Sequence, residues 1–199
     1  SGNSEITFED RYTLSSEQVI YDKNINSIYS NEKSVLLDKN GNKIKFSNFN
    51  LDLNKKEAKV FNLDSTDINQ NNFILKEAFI DLKNGEIAGK DLKLFFDKSI
   101  LGNVDNDPRV FGNSVINNKN ETIVNKGVFT SCKLNEKEKC PPWEMRAEEI
   151  KHDKKNKIVE YKNAYLRIYD KPVLYFPFFF HPDIFKQKLY IWISLIDCS

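Results

Sequence analysis

The sequence is short of the residues that build helices and of those that build phosphate-binding loops. Alanine is scarce and there are seven glycines among 199 residues. The best helix former is therefore nearly missing, while abundant asparagine and lysine supply residues that tolerate turns and positive φ. No glycine-rich phosphate loop occurs, and neither histidine has a serine or cysteine beside it in a nucleophile turn. No apolar run is long enough for a transmembrane helix, because 173–180 is interrupted by Pro177 and soon flanked by charge, although its length suits a membrane β-strand. An excess of charge is also missing. Thirty basic residues against 29 acidic ones leave a net charge of +1, so no global field draws the chain to nucleic acid or an anionic surface. The first residues, Ser1 to Ser4, lack the basic and apolar regions of a signal peptide, so the start reads as an interior cut or as that of a cytosolic protein.

What the chain does have is a 40% hydrophobic and 13% aromatic content, enough for one domain with a core or for one elongated repeat array. Its strongest internal signal is a phrase in which apolar residues lead into an aspartate, a short polar stretch follows, and an apolar residue reopens the next strand. The copies are centred on Asp22, Asp52, Asp81 and Asp153, with a weaker one at Asn117. Asp or Asn can accept a hydrogen bond from the backbone two residues on, and Asn-Gly or Lys-Asn accepts the positive φ of a tight hairpin. Each phrase is thus expected to be a hairpin. Between the turns the pattern alternates, as in Ala78, Ile80 and Leu82 or Leu92, Leu94 and Phe96, with charged residues on the other face. These features predict an all-β fold in one domain.

The marker aspartates read as turn residues and not as paired catalytic carboxylates, since a carboxylate at the head of every hairpin is committed to turn geometry. The chain is therefore expected not to be an enzyme and to need no cofactor. A zinc site completed by His152 and His181 fits poorly, because seven residues separate Cys132 from Cys140 where short metal knuckles use two to four. A disulfide or free thiols remain. Basic residues are interleaved with acids and read as a solvated face.

The ordered series Gly127-Val128-Phe129-Thr130-Ser131-Cys132, Pro141-Pro142-Trp143, Arg146-Ala147-Glu148-Glu149-Ile150, Asp153, Asn163-Ala164 and 171–182 resembles the LptD family of lipopolysaccharide-assembly proteins of the Gram-negative outer membrane. The earlier Asp-turn repeats are similar, more weakly, to the OstA-like repeat shared with the periplasmic bridge protein LptA. The resemblance implies a folded-over antiparallel β-jelly roll over 1–171 that receives lipopolysaccharide from the bridge and passes it toward a C-terminal β-barrel, on the periplasmic side of the outer membrane. It implies a junction to that barrel over 172–199, marked by Pro172, Pro177 and Pro182, and matches Cys132 and Cys140 to the family's periplasmic cysteines. It also implies LptA as a partner by strand addition near 6–14, and the lipoprotein LptE as a partner through the barrel. From about Ile184 the sequence departs from the family, so 184–199 is expected to be an off-family tail and the barrel to be absent.

Joined to the alternation, the resemblance predicts that Leu51, Leu53, Ile80, Leu82, Leu92, Leu94 and Phe96 line an interior that holds acyl chains. Two other classes remain open, a carbohydrate-active β-helix enzyme and a structural or adhesive β-repeat module.

Overall fold

The structure, a computed structural model, describes residues 4–8, 12–38, 42–67, 69–101, 106–133 and 141–183. It is all-β, as the turn-rich, alanine-poor composition predicts. The strands are β1 (Ser4–Phe8), β2 (Tyr12–Ser16), β3 (Ile20–Asp22), β4 (Ser27–Ser30), β5 (Ser34–Asp38), β6 (Lys43–Phe46), β7 (Asn48–Asp52), β8 (Glu57–Thr66), β9 (Asn72–Asp81), β10 (Glu86–Phe95), β11 (Arg109–Asn117), β12 (Glu121–Thr130), β13 (Trp143–Asp153), β14 (Ile158–Ile168) and β15 (Lys171–Pro182). A single 3-10 turn spans Lys98–Leu101, and no α-helix occurs among the described residues. The 15 strands form one open antiparallel sheet of the jelly-roll kind. The chain divides into two compact units, one of Ser1–Leu92 with Ile116–Asn118 and one of Lys93–Val115 with Lys119–Ser199.

The Asp turns close the hairpins as their chemistry requires. Asp22, Asp52, Asp81 and Asp153 each accept, through Oδ1, the backbone N–H two residues on, at 2.8–3.0 Å. The last residue of each turn, Asn26, Lys56, Gly85 or Lys157, has φ between 51° and 71°. The hydrogen bonds favour the ionised carboxylate. Those from Asn84 hold Asp81, and those from Asn156 hold Asp153, below the usual aspartate value of 3.8. A further Asp turn, not evident from the repeat phrase, lies at the other end of β8, where Asp67 caps the N–H groups of Asn69 and Asn71 and Gln70 has φ 64°. Tyr169 and Asp170, at φ 44° and 65°, form a two-residue hairpin between β14 and β15.

In the first unit β8 is bordered by two short strands laid end to end. Lys43–Lys45 of β6 face Asp64–Thr66, and Asn48–Asp52 of β7 face Glu57–Phe61. The junction residue Ser47 stands across from Asn62, which donates through Nδ2 to the Ser47 Oγ at 3.0 Å. Asn62 has φ 50° in mid-strand. Its partner position on β9 is Lys76, because Phe61 pairs with Glu77 and Leu63 with Leu75 in unchanged register. The strand therefore kinks without gaining a residue, which distinguishes the feature from a β-bulge.

The same device recurs at the sixth residue of every second long strand. Asn62 in β8, Asp91 in β10, Lys126 in β12 and Asn163 in β14 all have φ between 48° and 55°. In the second unit the register places Glu148 across from both Lys126 and Asn163, and Pro177 across from Asn163. A row of exposed, mostly polar residues thus runs across the strands as a crease. Pro177 fits there because the kink position exchanges no ladder bonds with Asn163, so its missing N–H costs nothing.

Candidate functional site

Burial on either side of the crease explains why the kink exists. In a regular strand, residues two apart share a face. Here the buried residues flanking the kink are three apart. In the first unit these pairs are Phe46 and Phe49, Val60 and Leu63, Leu75 and Ala78, and Gly89 and Leu92. In the second they are Val124 and Gly127, Ala147 and Ile150, and Tyr161 and Ala164. The left-handed residue in β8, β10, β12 and β14 reverses the phase of alternation there, and their neighbours β9 and β13 reverse phase at the facing residues Lys76 and Glu148 without one, so the two halves of these strands turn their apolar faces to the same side. An interior results in each unit, with the kink side chains outside it.

The residues of these interiors are apolar and buried. Leu75 and Ala78 are 0% exposed, and Leu63 and Leu92 are 2% exposed. In the second unit Trp143 is 2% exposed and meets Phe129 edge-on at 5.8 Å between centroids. Gly127 is required by close approach, since a Cβ on it would lie 2.4 Å from Ile150 Cδ1. Three buried serines stitch the short-strand end of the first unit. Ser16 Oγ lies 3.0 Å from both Ser30 Oγ and Ser34 Oγ, which satisfies hydroxyls that would otherwise be costly to bury.

The outer face is wet by contrast. Glu77 is paired with Lys59 at 2.7 Å and Lys90 at 3.6 Å, and the hydrogen bond from Lys59 holds its carboxyl below the usual 4.5. The Lys59 ammonium also lies over the rings of Phe61 and Phe79, covering aromatic surface that faces outward. Glu121–Lys151 and Glu149–Lys162 repeat the pattern in the second unit.

The residues expected to line the interior divide into three groups. Leu51 and Leu92 are buried within it. Ile80 and Leu94 are half-buried and share the strand face of Ala78 and Leu92 respectively. Leu53 and Leu82 correct the expectation, because both follow a marker aspartate and sit in the turn, not in a strand; Leu82 is 43% exposed. Phe96 lies past the end of β10, half-buried, with its N–H donated to the Pro108 carbonyl. The central residues Val60, Leu63 and Leu75 were missed, since a strict period of two carries the inner face across the kink to the wrong side. The available signal was the three-residue spacing itself, bracketing Asn, Asp or Lys.

Cys132 is a fully buried free thiol whose Sγ lies 3.9 Å from the Trp143 carbonyl, while Cys140 and Cys198 lie outside the described residues. Arg109, itself buried, donates to the carbonyls of Cys132 and Asp107 and so ties down the segment after β12. His152 and His181 come together with Asp183 and Tyr161 at the end of β15. Among the described residues no group of three or more His, Cys, Asp and Glu is arranged to hold a metal ion.

Pro172, Pro177 and Pro182 all belong to β15, which pairs with β14 from Ile168↔Lys171 to Ile158↔Pro182. The strand bears an unusual load of exposed apolar side chains, with Val173, Leu174, Tyr175, Phe178 and Phe180 each 48–59% exposed. At the other end of the strand order β1 pairs only with β2 among the described residues. The fold and interior define an open, creased antiparallel sheet with one apolar and one polar face. No protein-family model and no curated protein matches the chain.

Proposed function

We propose that the chain is the periplasmic part of an outer-membrane lipopolysaccharide transporter, which guides acyl chains along an apolar inner face and carries out no bond chemistry. The observation that carries this reading is the phase reversal at the crease. It gathers apolar residues from both halves of β8, β9, β10, β12, β13 and β14 onto one side, which a two-faced sheet with a wet outer surface would not need if it served as a flat adhesive module. Each methylene transferred from water to such a surface gains about 0.8 kcal/mol, so a lipid tail is held without a deep polar site. The family resemblance of 127–182 supplies the cargo and the direction of transfer. Under the same proposal β1 receives the last strand of LptA by β-augmentation, and β15 leads toward the barrel, where LptE would act.

Photocrosslinking tests this reading. A photoreactive residue at Ile80 or Leu94, half-buried on the inner face, is expected to capture lipopolysaccharide, and one at Lys83 or Lys93 is not. Crosslinks confined to the lysine positions would reject an interior track.

A further inference from the structure

The chain has two histidines, and both lie in one small cluster at the end of β15 in the second unit. The imidazole Nδ1 of His181 is 2.7 Å from the Pro182 carbonyl, which can only accept, so Nδ1 carries the proton. Nε2 is then the lone-pair nitrogen, and it accepts the Tyr161 hydroxyl at 3.2 Å. Tyr161 is 4% exposed, and burial pushes its phenol well up, which keeps it a donor. His152, on β13, meets Asp183 at 2.8 Å, and the Asp183 N–H is donated to the Lys157 carbonyl at the β13–β14 turn. Aromatic contacts complete the cluster. Tyr161 lies 5.7 Å from Phe179 and 5.6 Å from His181 between ring centroids, and Phe179 lies 5.6 Å from Phe176.

We propose that His181 and Tyr161 form an acid-released clasp that fixes the C-terminal half of β15 to β14, next to the His152–Asp183 contact. The neutral imidazole is the form that fits. Protonation of Nε2 removes the only lone pair that the Tyr161 hydroxyl uses in this contact and places a cation in a largely apolar setting. The charged groups facing His181 act in opposite directions: Asp183 favours the imidazolium, and a protonated His152 disfavours it and already engages Asp183. Burial outweighs them and holds His181 below the ordinary 6.5. A folded-state value below the unfolded one means that the clasp is at full strength above 6.5 and weakens as pH falls below it. Its release loosens Phe179 from Tyr161, and Phe179 in turn packs on Phe176 in the last described strand.

Hydrogen exchange of the whole chain, corrected for the intrinsic pH dependence of exchange, reads the clasp directly. Between about pH 7.5 and about pH 5 the amides of 178–181 are expected to lose protection several-fold, while those of 144–147 keep theirs. His181→Gln, which retains an acceptor for Tyr161 and a donor for Pro182, is expected to stay folded and lose that pH dependence. Tyr161→Phe is expected to lower protection at both pH values and flatten the difference. Equal protection of 178–181 at the two pH values, or an undiminished loss in His181→Gln, would overturn the proposal.

Discussion

The short strands of the first unit and the long strands of the second reach the same reversal of alternation by different means. Where β6 meets β7, the phase of alternation is reset by a break in the strand at Ser47, whose backbone stays out of the left-handed region. In β12 and β14 the strand runs on unbroken, and a single residue at positive φ, Lys126 or Asn163, does the resetting. Both solutions leave buried residues three apart, Phe46 and Phe49 in one case and Val124 and Gly127 in the other. The conserved quantity between the two regions is the spacing, and the backbone conformation that achieves it is secondary. At the break the Ser47 N–H and hydroxyl both donate to the Phe61 carbonyl, which keeps β7 tied to β8. A kink keeps most of the ladder and instead incurs the strain of a left-handed non-glycine residue, roughly 1–2 kcal/mol.

The largest effects should follow the inner face. Leu63→Ala and Leu75→Ala, at 2% and 0% exposure, are expected to lower unfolding free energy by about 2–5 kcal/mol in denaturant titrations. Leu82→Ala, in its turn, should stay within about 0.5 kcal/mol of the parent. Equal losses at Leu75 and Leu82 would return Leu82 to the interior and break the distinction between strand and turn positions.

A smaller effect separates the break from the kink. Lys126→Gly relieves left-handed strain and is expected to raise stability by about 0.5–1 kcal/mol, whereas Lys126→Val should lower it by about 1–2 kcal/mol. Ser47→Gly has no such strain to relieve and loses the bond to the Phe61 carbonyl, so it should destabilise by about 1 kcal/mol. Stabilisation by glycine at both sites would mean that the two regions solve the problem in one way.

The smallest effect belongs to the turns. Asp81 and Asp153 are held below 3.8 by the hydrogen bonds of Asn84 and Asn156, so their stabilisation is present above that pH and is lost as pH falls through the lowered folded-state values. Asp81→Asn keeps an acceptor for the Lys83 and Asn84 N–H groups without titrating. Its denaturation midpoint should change less than the parent's on acidification below about pH 4.

Much of this was legible in the residues. The Asp-turn phrase located four hairpins because Asp22, Asp52, Asp81 and Asp153 act locally, on atoms two and three residues away. The turn at Asp67 escaped notice because no apolar run leads into it in the repeated form, and the Tyr169–Asp170 hairpin because a tyrosine is an unusual occupant of the first of two successive positive-φ positions. The interior was only half legible. Leu51 and Leu92 follow from alternation on their own side of the crease, but Leu63 and Leu75 depend on a phase change set by pairing between strands, and Asn62 gives little local sign of it.

Cysteine accessibility across the crease in β13 tests the account most directly. Single cysteines at 147, 148, 149 and 150 of β13, each labelled in the folded protein with a thiol reagent, probe both halves of the strand. The creased sheet predicts slow labelling at 147 and 150 and fast labelling at 148 and 149. Slow labelling at 147 and 149 with fast labelling at 148 and 150 is the pattern of an uninterrupted strand, and it would contradict the folded interior on which the proposed function depends.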